Sequence, residues 1–230
     1  MISRPGRPLV VGHRGWPARF PDNTLAGFLA ASGVADMVEM DVRRSGDGKL
    51  VLSHDPTIAG HVVAKRSWAF LGDLDLGEGH RPALLDEALA ALASTPALIE
   101  IKNEPFNPGF EPDHRLALEA ADRSRPGDIL ASFNWATMDR VRSVYPQVAT
   151  ALVVATSDAL TDAVNHGLDV NHTGLVPDHR LVDGLLLETA GERLGVYPWT
   201  VNEPVRAGEL AAIGVSGIIT DMPDLIRESI

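Results

Sequence analysis

The 230-residue sequence contains no cysteine. That absence excludes disulfides, thiolate zinc sites and a cysteine nucleophile together. No apolar run approaches the ~18 residues a membrane helix needs, because Gly, Pro or charge breaks every stretch early. Residues 1–8, MISRPGRP, carry two arginines, and no apolar signal-peptide core follows them. The expectation is a soluble, cytoplasmic protein with no stable membrane insertion. Basic residues are also scarce: 20 Lys and Arg stand against 31 Asp and Glu, a net charge of −11. A nucleic-acid binder needs a basic face to neutralise phosphates, so the charge balance argues against nucleic acid as a partner. It argues equally against docking on an anionic bilayer. An anionic substrate would have to be met locally, by a divalent metal with a few Arg or Lys side chains.

What the chain does contain is a regular alternation. Short apolar runs rich in β-branched residues lie at 9–13, 37–42, 97–102, 128–133, 149–154, 168–171, 194–199 and 217–220. Between them, segments of helical period fall at 24–33, 84–94, 112–124, 135–144, 158–166, 179–190, 203–212 and 223–229. Apolar strands each followed by an amphipathic helix make a parallel sheet buried on both faces. Eight such units in a chain near the ~250 residues typical of the fold favour closure, so the expected class is α/β, a (β/α)8 TIM barrel. No linker, low-complexity tract or charge block divides the sequence, and one domain over 1–230 is expected. One stretch, 43–82, breaks the rhythm. Its Ser45-Gly46-Asp47-Gly48 turn and the run 49–53 read as a hairpin appended to the second strand. Residues 55–82 read as an inserted loop.

In a parallel barrel the active site forms at the carboxyl ends of the strands. The first strand ends in His13-Arg14-Gly15, the second in Glu39-Met40-Asp41, the hairpin strand in His54-Asp55 and the third in Glu100-Ile101-Lys102. The fourth ends near Ser132 and Asn134, the seventh at Trp199 with Asn202 just beyond, and the eighth at Thr220-Asp221. Residues two apart on a strand share a face, so Glu39 and Asp41 point the same way, as do Glu100 and Lys102. Carboxylates gathered inside a barrel repel one another unless a cation or a proton lies between them. Three of them from adjacent strands make an oxygen site suited to a hard divalent cation such as Mg²⁺ or Ca²⁺. The alternative is a buried ion network with Arg14 and Lys102. An unperturbed imidazole pKa of about 6.5 suits two histidines, His13 and His54, to acid and base roles at neutral pH. Arg14 offers a fork for phosphate and Lys102 a point charge.

These residues, in this order, resemble the glycerophosphodiester phosphodiesterase family. The matching pieces are HRG at 13–15, PDNTLAGF at 21–28, EMDVRRSGDGKLVLSHDPT at 39–57, LIEIKNE at 98–104, WTVN at 199–202 and GVSGIITDMPD at 214–224. The resemblance implies a TIM-type barrel that hydrolyses glycerophosphodiesters, small-molecule substrates, to an alcohol and glycerol 3-phosphate. It implies that Glu39, Asp41 and Glu100 hold a divalent cation, Mg²⁺ or Ca²⁺. His13 and His54 would be the acid/base pair, with Arg14 and Lys102 on the phosphoryl group. Two departures stand out. The family's usual Pro-Glu-Asn-Thr reads Pro21-Asp22-Asn23-Thr24 here. The segment after His54 is short and lacks the family's common Arg-Thr-Thr-Gly run.

Secondary candidates follow from position. Trp199 is expected to pack against the substrate's glycerol carbons, the alternative being that it only closes the barrel top. Asn202 reads equally as a helix N-cap or a ligand, and Asp221 as capping and barrel closure. Ser132, Asn134 and His172 are candidate pocket lining. Asp55 can orient His54 or shape the turn before Pro56. His61, His80, His114, His166 and His179 read as solvated. Two competing functions remain: a related barrel acting on lysophospholipids or phosphoinositides, and a non-catalytic barrel binding a phosphorylated metabolite. The lipid reading needs an apolar lip, for which Trp16, Phe20, Trp68 and Phe70 are candidates. The pattern sets no oligomeric state.

Overall fold

The computed structural model describes residues 6–230. Residues 1–5, most of the arginine-bearing start discussed above, lie outside the described residues. The first half of the chain forms β1 (Leu9–Gly12), α1 (Leu25–Ser32), β2 (Met37–Arg44), β3 (Leu50–Leu52), β4 (Thr57–Ile58), β5 (His61–Val62), α2 (Trp68–Leu71), α3 (Leu85–Leu92), β6 (Ala97–Ile101) and α4 (Arg115–Arg123). The second half adds β7 (Ile129–Ser132), α5 (Trp135–Val144), β8 (Ala149–Val154), α6 (Ser157–Val170), β9 (Gly174–Pro177) and α7 (Gly184–Ala190). It ends with β10 (Gly195–Val196), α8 (Pro204–Ile213), β11 (Gly217–Thr220) and α9 (Pro223–Ser229).

Eight strands run in the order β10-β9-β8-β7-β6-β2-β1-β11, and neighbours in that order pair in parallel. The remaining seam, between β10 and β11, is bridged by single backbone hydrogen bonds. Ser216 N–H donates to Val196 O at 2.9 Å, and Ile219 N–H to Pro198 O at 2.9 Å. The result is a nearly closed α/β barrel.

Side-chain alternation builds two cores from the same strands. Val38, Met40 and Val42 of β2 and Ile99 and Ile101 of β6 face outward, into the layer shared with the helices. Met37, Leu98, Ile129, Ala131, Ala151, Val153, Val176 and Ile219 face inward and fill the barrel with Tyr197. The Tyr197 ring occupies space that glycine leaves. A Cβ on Gly217 would stand 2.7 Å from the ring and one on Gly195 2.8 Å. Glycines at these strand positions are therefore a packing requirement, not a weakness of the strands.

Three features differ from the sequence reading. The expected strand at 168–171 is the last turn of α6 and its cap, with Asn171 in the left-handed conformation at φ 63. The sixth barrel strand is β9 instead, at Gly174–Pro177. Helix 179–190 is broken: a 3-10 turn at His179–Leu181 precedes α7, which Asp183 caps by accepting from Leu186 N–H at 2.9 Å. The stretch 55–82 is more than a loop. It carries the β4–β5 hairpin and α2, and Ile58, Val63 and Leu71 pack on Val51 as a small separate core. The hairpin expected after β2 is present, with β3 antiparallel to β2 through Val42 opposite Leu52.

Candidate active site

The inward-facing residues at the carboxyl ends of the strands converge on a cavity of about 100 Å³. His13, Arg14, Glu39, His54, Glu100 and Lys102 line its polar side, and Leu98, Phe133, Val176, Trp199 and Ile219 its apolar side. A broader cleft of about 1160 Å³ opens at the opposite end of the barrel. Among the described residues lining it there is no histidine.

Strand register explains the carboxylate cluster. Asp41 and Glu100 are direct partners across β2 and β6, and Glu39 lies two residues before Asp41 on the same face. One oxygen from each of the three carboxylates lies within 4.8 Å of the others. Burial pushes the Glu39 carboxyl well above its ordinary pKa, and Asp41 and Glu100 add to that. Burial also raises Glu100, with Lys102 opposing. Asp41 ends lower than usual: burial pushes it up, but Lys102, Arg14 and His54 together outweigh it.

Both cations touch the cluster. Lys102 Nζ lies 3.0 Å from Asp41 Oδ1 and pairs closely with Glu100 Oε1. These carboxylates hold the ammonium's pKa above its ordinary value against the effect of burial. Arg14 sits in a tight turn at φ 49, followed by Gly15 at φ 91. No side chain fits at Gly15, where a Cβ would stand 2.9 Å from the Gly27 backbone. This turn aims the Arg14 backbone N–H at Glu39 Oε2, 2.7 Å away. The Arg14 guanidinium donates to Asp22 Oδ2 at 2.9 Å, and its Nε lies 3.4 Å from Asp41 Oδ2. Asn23, also in a left-handed conformation, donates to Asp41 Oδ2 at 2.9 Å and accepts from Asp41 N–H at 3.1 Å. Thr24 caps α1, its hydroxyl accepting from Gly27 N–H at 3.3 Å. Asp22 and Asn23 brace the site.

Each histidine is held through Nδ1 by a carboxylate. His13 Nδ1 is 2.7 Å from Asp221 Oδ1, and His54 Nδ1 is 2.8 Å from Asp55 Oδ1. Asn202 clamps Asp221, donating to its Oδ2 at 2.7 Å and accepting its N–H at 2.9 Å. Burial pulls the Asp221 carboxyl up, but the bonds from His13 and Asn202 leave it below its usual range. Arg43 donates twice to the His54 carbonyl, at 3.0 and 2.7 Å, which fixes the start of the following loop. Burial and then the Lys102 charge lower the His54 pKa below its ordinary value.

A sequence model of the glycerophosphoryl diester phosphodiesterase family matches residues 13–225. The chain belongs to this family. It is accordingly a phosphoric diester hydrolase. Bacillus subtilis YhdW is 30% identical over 94% of this chain and 96% of its own length. The Bacillus subtilis glycerophosphodiester phosphodiesterase is 25% identical, covering 99% of this chain and 88% of its own. Among solved structures, an Oleispira antarctica phosphodiesterase in complex with the product sn-glycerol-3-phosphate superposes with a TM-score of 0.85. Its identity is 21%, over 97% of this chain and 96% of that one. The Thermotoga maritima glycerophosphodiester phosphodiesterase gives 0.77 at 24% identity, over 98% and 99% of the two chains.

Of the eight principal residues named from the sequence, seven line this cavity, and Asp41 is buried beside it. Phe133 was missed. It follows Ile129 and Ala131 on the inward face of β7 and meets Trp199 edge-on, with ring centroids 6.0 Å apart. The alternate residues Ser132 and Asn134 instead donate to the Ile101 and Asn103 carbonyls. His172 does not line the pocket; it is buried against Thr150 and Asp139. His166, read as solvated, also reaches Asp139. Asn202 is not a helix cap, since Glu203 holds that position in α8. The apolar lip that the lipid reading needs is weak. Trp16 is buried in the main core and only Phe70 of the four is substantially exposed. Among the described residues, no helix is long and apolar enough to cross a membrane.

Proposed function

We propose that this chain hydrolyses glycerophosphodiesters to an alcohol and glycerol 3-phosphate with a divalent cation held by Glu39, Asp41 and Glu100. The observation that carries the cation assignment is Glu39 Oε1, a buried oxygen with no hydrogen-bond partner among the described residues. An unpaired buried carboxylate oxygen is costly unless something binds it. The all-oxygen donor set suits Mg²⁺ or Ca²⁺. When bound, the ion supplies Lewis acidity against charge growing on the phosphoryl oxygens.

The chain's own groups do the rest. Arg14 and Lys102 line the cavity beside the cluster and present cationic donors to the phosphoryl oxygens. With Nδ1 tied to a carboxylate, His13 and His54 each keep Nε2 for proton transfer. The lowered His54 pKa favours its neutral form at pH 7, which suits it to take the proton of the nucleophile, water or the neighbouring glycerol hydroxyl. His13 then gives a proton to the departing alkoxide. Asp221 is a positioning residue, holding the His13 ring in one orientation, and Asn202 holds Asp221. Trp199, with Nε1 donating to Val176 O at 2.9 Å, offers a fixed ring edge to the glycerol carbons. We treat the stretch 43–82 as an appendage of one barrel domain that carries His54 to the site.

The small cavity and the buried Trp16 favour a water-soluble diester over a lipid at an interface. Turnover of glycerophosphocholine and glycerophosphoethanolamine compared with lysophospholipid micelles tests this. Faster hydrolysis of the soluble diesters is expected, and a preference for micelles would overturn it.

A further inference from the structure

Outside the barrel, at the contact between α5 and α6, a second cluster has no part in the chemistry above. Asp139 on α5 is met by His166 on α6 and by His172 in the turn before β9. Both rings approach the same oxygen with the same atom: His166 Nε2 is 2.8 Å and His172 Nε2 3.0 Å from Asp139 Oδ1. The three candidate ligand atoms lie within 4.8 Å of one another. A carboxylate oxygen has lone pairs for two N–H donors, and the same convergence brings three ligand atoms to one point, as a metal ion requires.

The surroundings are rigid and match the outer partners that orient a ligating histidine. His172 has a fully buried side chain, and its Nδ1 is 2.8 Å from Thr150 Oγ1 on β8. The His166 ring stacks with the Trp135 ring at 5.9 Å and 25° and with the His172 ring at 5.7 Å and 29°. Trp135 is itself fixed, its Nε1 donating to Val153 O. The side chains of Asp139 and His166 remain 37% and 33% exposed, which leaves a path for an ion and a position for water.

We propose that Asp139, His166 and His172 form a second metal site, for a divalent transition ion that prefers imidazole, such as Zn²⁺. Two nitrogens and one carboxylate oxygen suit Zn²⁺, Cu²⁺ or Ni²⁺ rather than Mg²⁺ or Ca²⁺, so the two sites are separated by ligand softness. Each imidazole ligates as the neutral ring. Its proton moves from Nε2 to Nδ1 and stays there, the Nδ1–H donating a hydrogen bond to Thr150 Oγ1 in His172 and to water in His166, so no proton is lost. Water completes the coordination. The ion ties α5 to the α6–β9 turn on the outer layer and leaves the hydrolytic site untouched.

The test is calorimetric titration of the full, chelator-stripped chain with Zn²⁺ in excess Mg²⁺, which keeps the carboxylate site filled. One equivalent should bind to the wild type and to Glu39→Gln. Affinity should fall more than ~10-fold in His166→Asn, with Mg²⁺-supported hydrolysis unchanged, and about 10–100-fold in Thr150→Val, which removes only an outer partner. On the unmodified chain, ¹⁵N imidazole spectra should show Zn²⁺ shifting Nε2 of two of the eight histidines. No Zn²⁺ uptake by the wild type under these conditions overturns the site. So does equal uptake by wild type and His166→Asn, or a spectrum in which no pair of histidines responds.

Discussion

His13 and Asp221, 208 positions apart, meet across the β1–β11 pairing with Nδ1 and Oδ1 2.7 Å apart. The register makes this contact: Gly12 faces Thr220, so the next residue on each strand turns into the barrel beside the other. If Asp221 orients the His13 ring, Asp221→Asn lowers kcat on the order of 10²-fold and leaves KM near the wild-type value. That loss lies within the ~10²–10⁴ that a positioned acid–base group contributes. Steady-state kinetics on a soluble diester check it, and Asn202→Ala should show a smaller loss of the same kind.

The His54 imidazole has its pKa lowered by burial and by Lys102. A lowered pKa keeps the neutral, base-competent form present at more acid pH. The acid limb of kcat/KM is therefore expected below the ordinary imidazole value of about 6.5. A limb above that value would reverse the assignment of His54 as the base.

Without a bound cation, the Glu39 carboxyl has a raised pKa, first through burial and then through Asp41 and Glu100. A group raised on folding contributes stability that is full below its unfolded pKa and is lost as pH rises through its folded pKa. The cation offsets that loss. The rise in Tm produced by Mg²⁺ or Ca²⁺ should thus be larger at pH 8 than at pH 5, and should vanish in Glu39→Gln. Thermal unfolding with and without EDTA at the two pH values measures this directly.

Gly217→Ala places a methyl group 2.7 Å from the Tyr197 ring at the barrel seam. Overpacking of this kind costs about 1–3 kcal/mol. Denaturant unfolding should show the loss, and Tyr197→Leu in the same background should recover part of it by emptying the contested space.

The polar strand ends that line the cavity were legible in the sequence because strand chemistry is local. Glu39 with Asp41 and Glu100 with Lys102 declare a shared face by spacing alone, and the (β/α)8 count needed only the alternation of runs. The contacts of Asp221 and Asn202 were not legible because Asp221 meets His13 across the β1–β11 pairing and Asn202 across the β10–β11 seam, where register is a property of the closed barrel. Phe133 was hidden by one step of parity, since Ser132 and Asn134 look more like site residues than a phenylalanine does. Residues 168–171 resembled a strand, yet Leu168 and Val170 continue the helical turn of α6 until Asn171 ends it. The β4–β5 strands span two residues each, too few for any periodicity to register.

The central claim is that a cation on three carboxylates and two carboxylate-anchored histidines cleave a glycerophosphodiester. The most direct measurement is glycerol 3-phosphate release from glycerophosphocholine by the purified chain, with Mg²⁺ or Ca²⁺ and with EDTA, in wild type and His13→Ala. Release should depend on the cation, stop in EDTA and fall at least ~10²-fold in the variant. Turnover that survives both EDTA and His13→Ala would contradict the account.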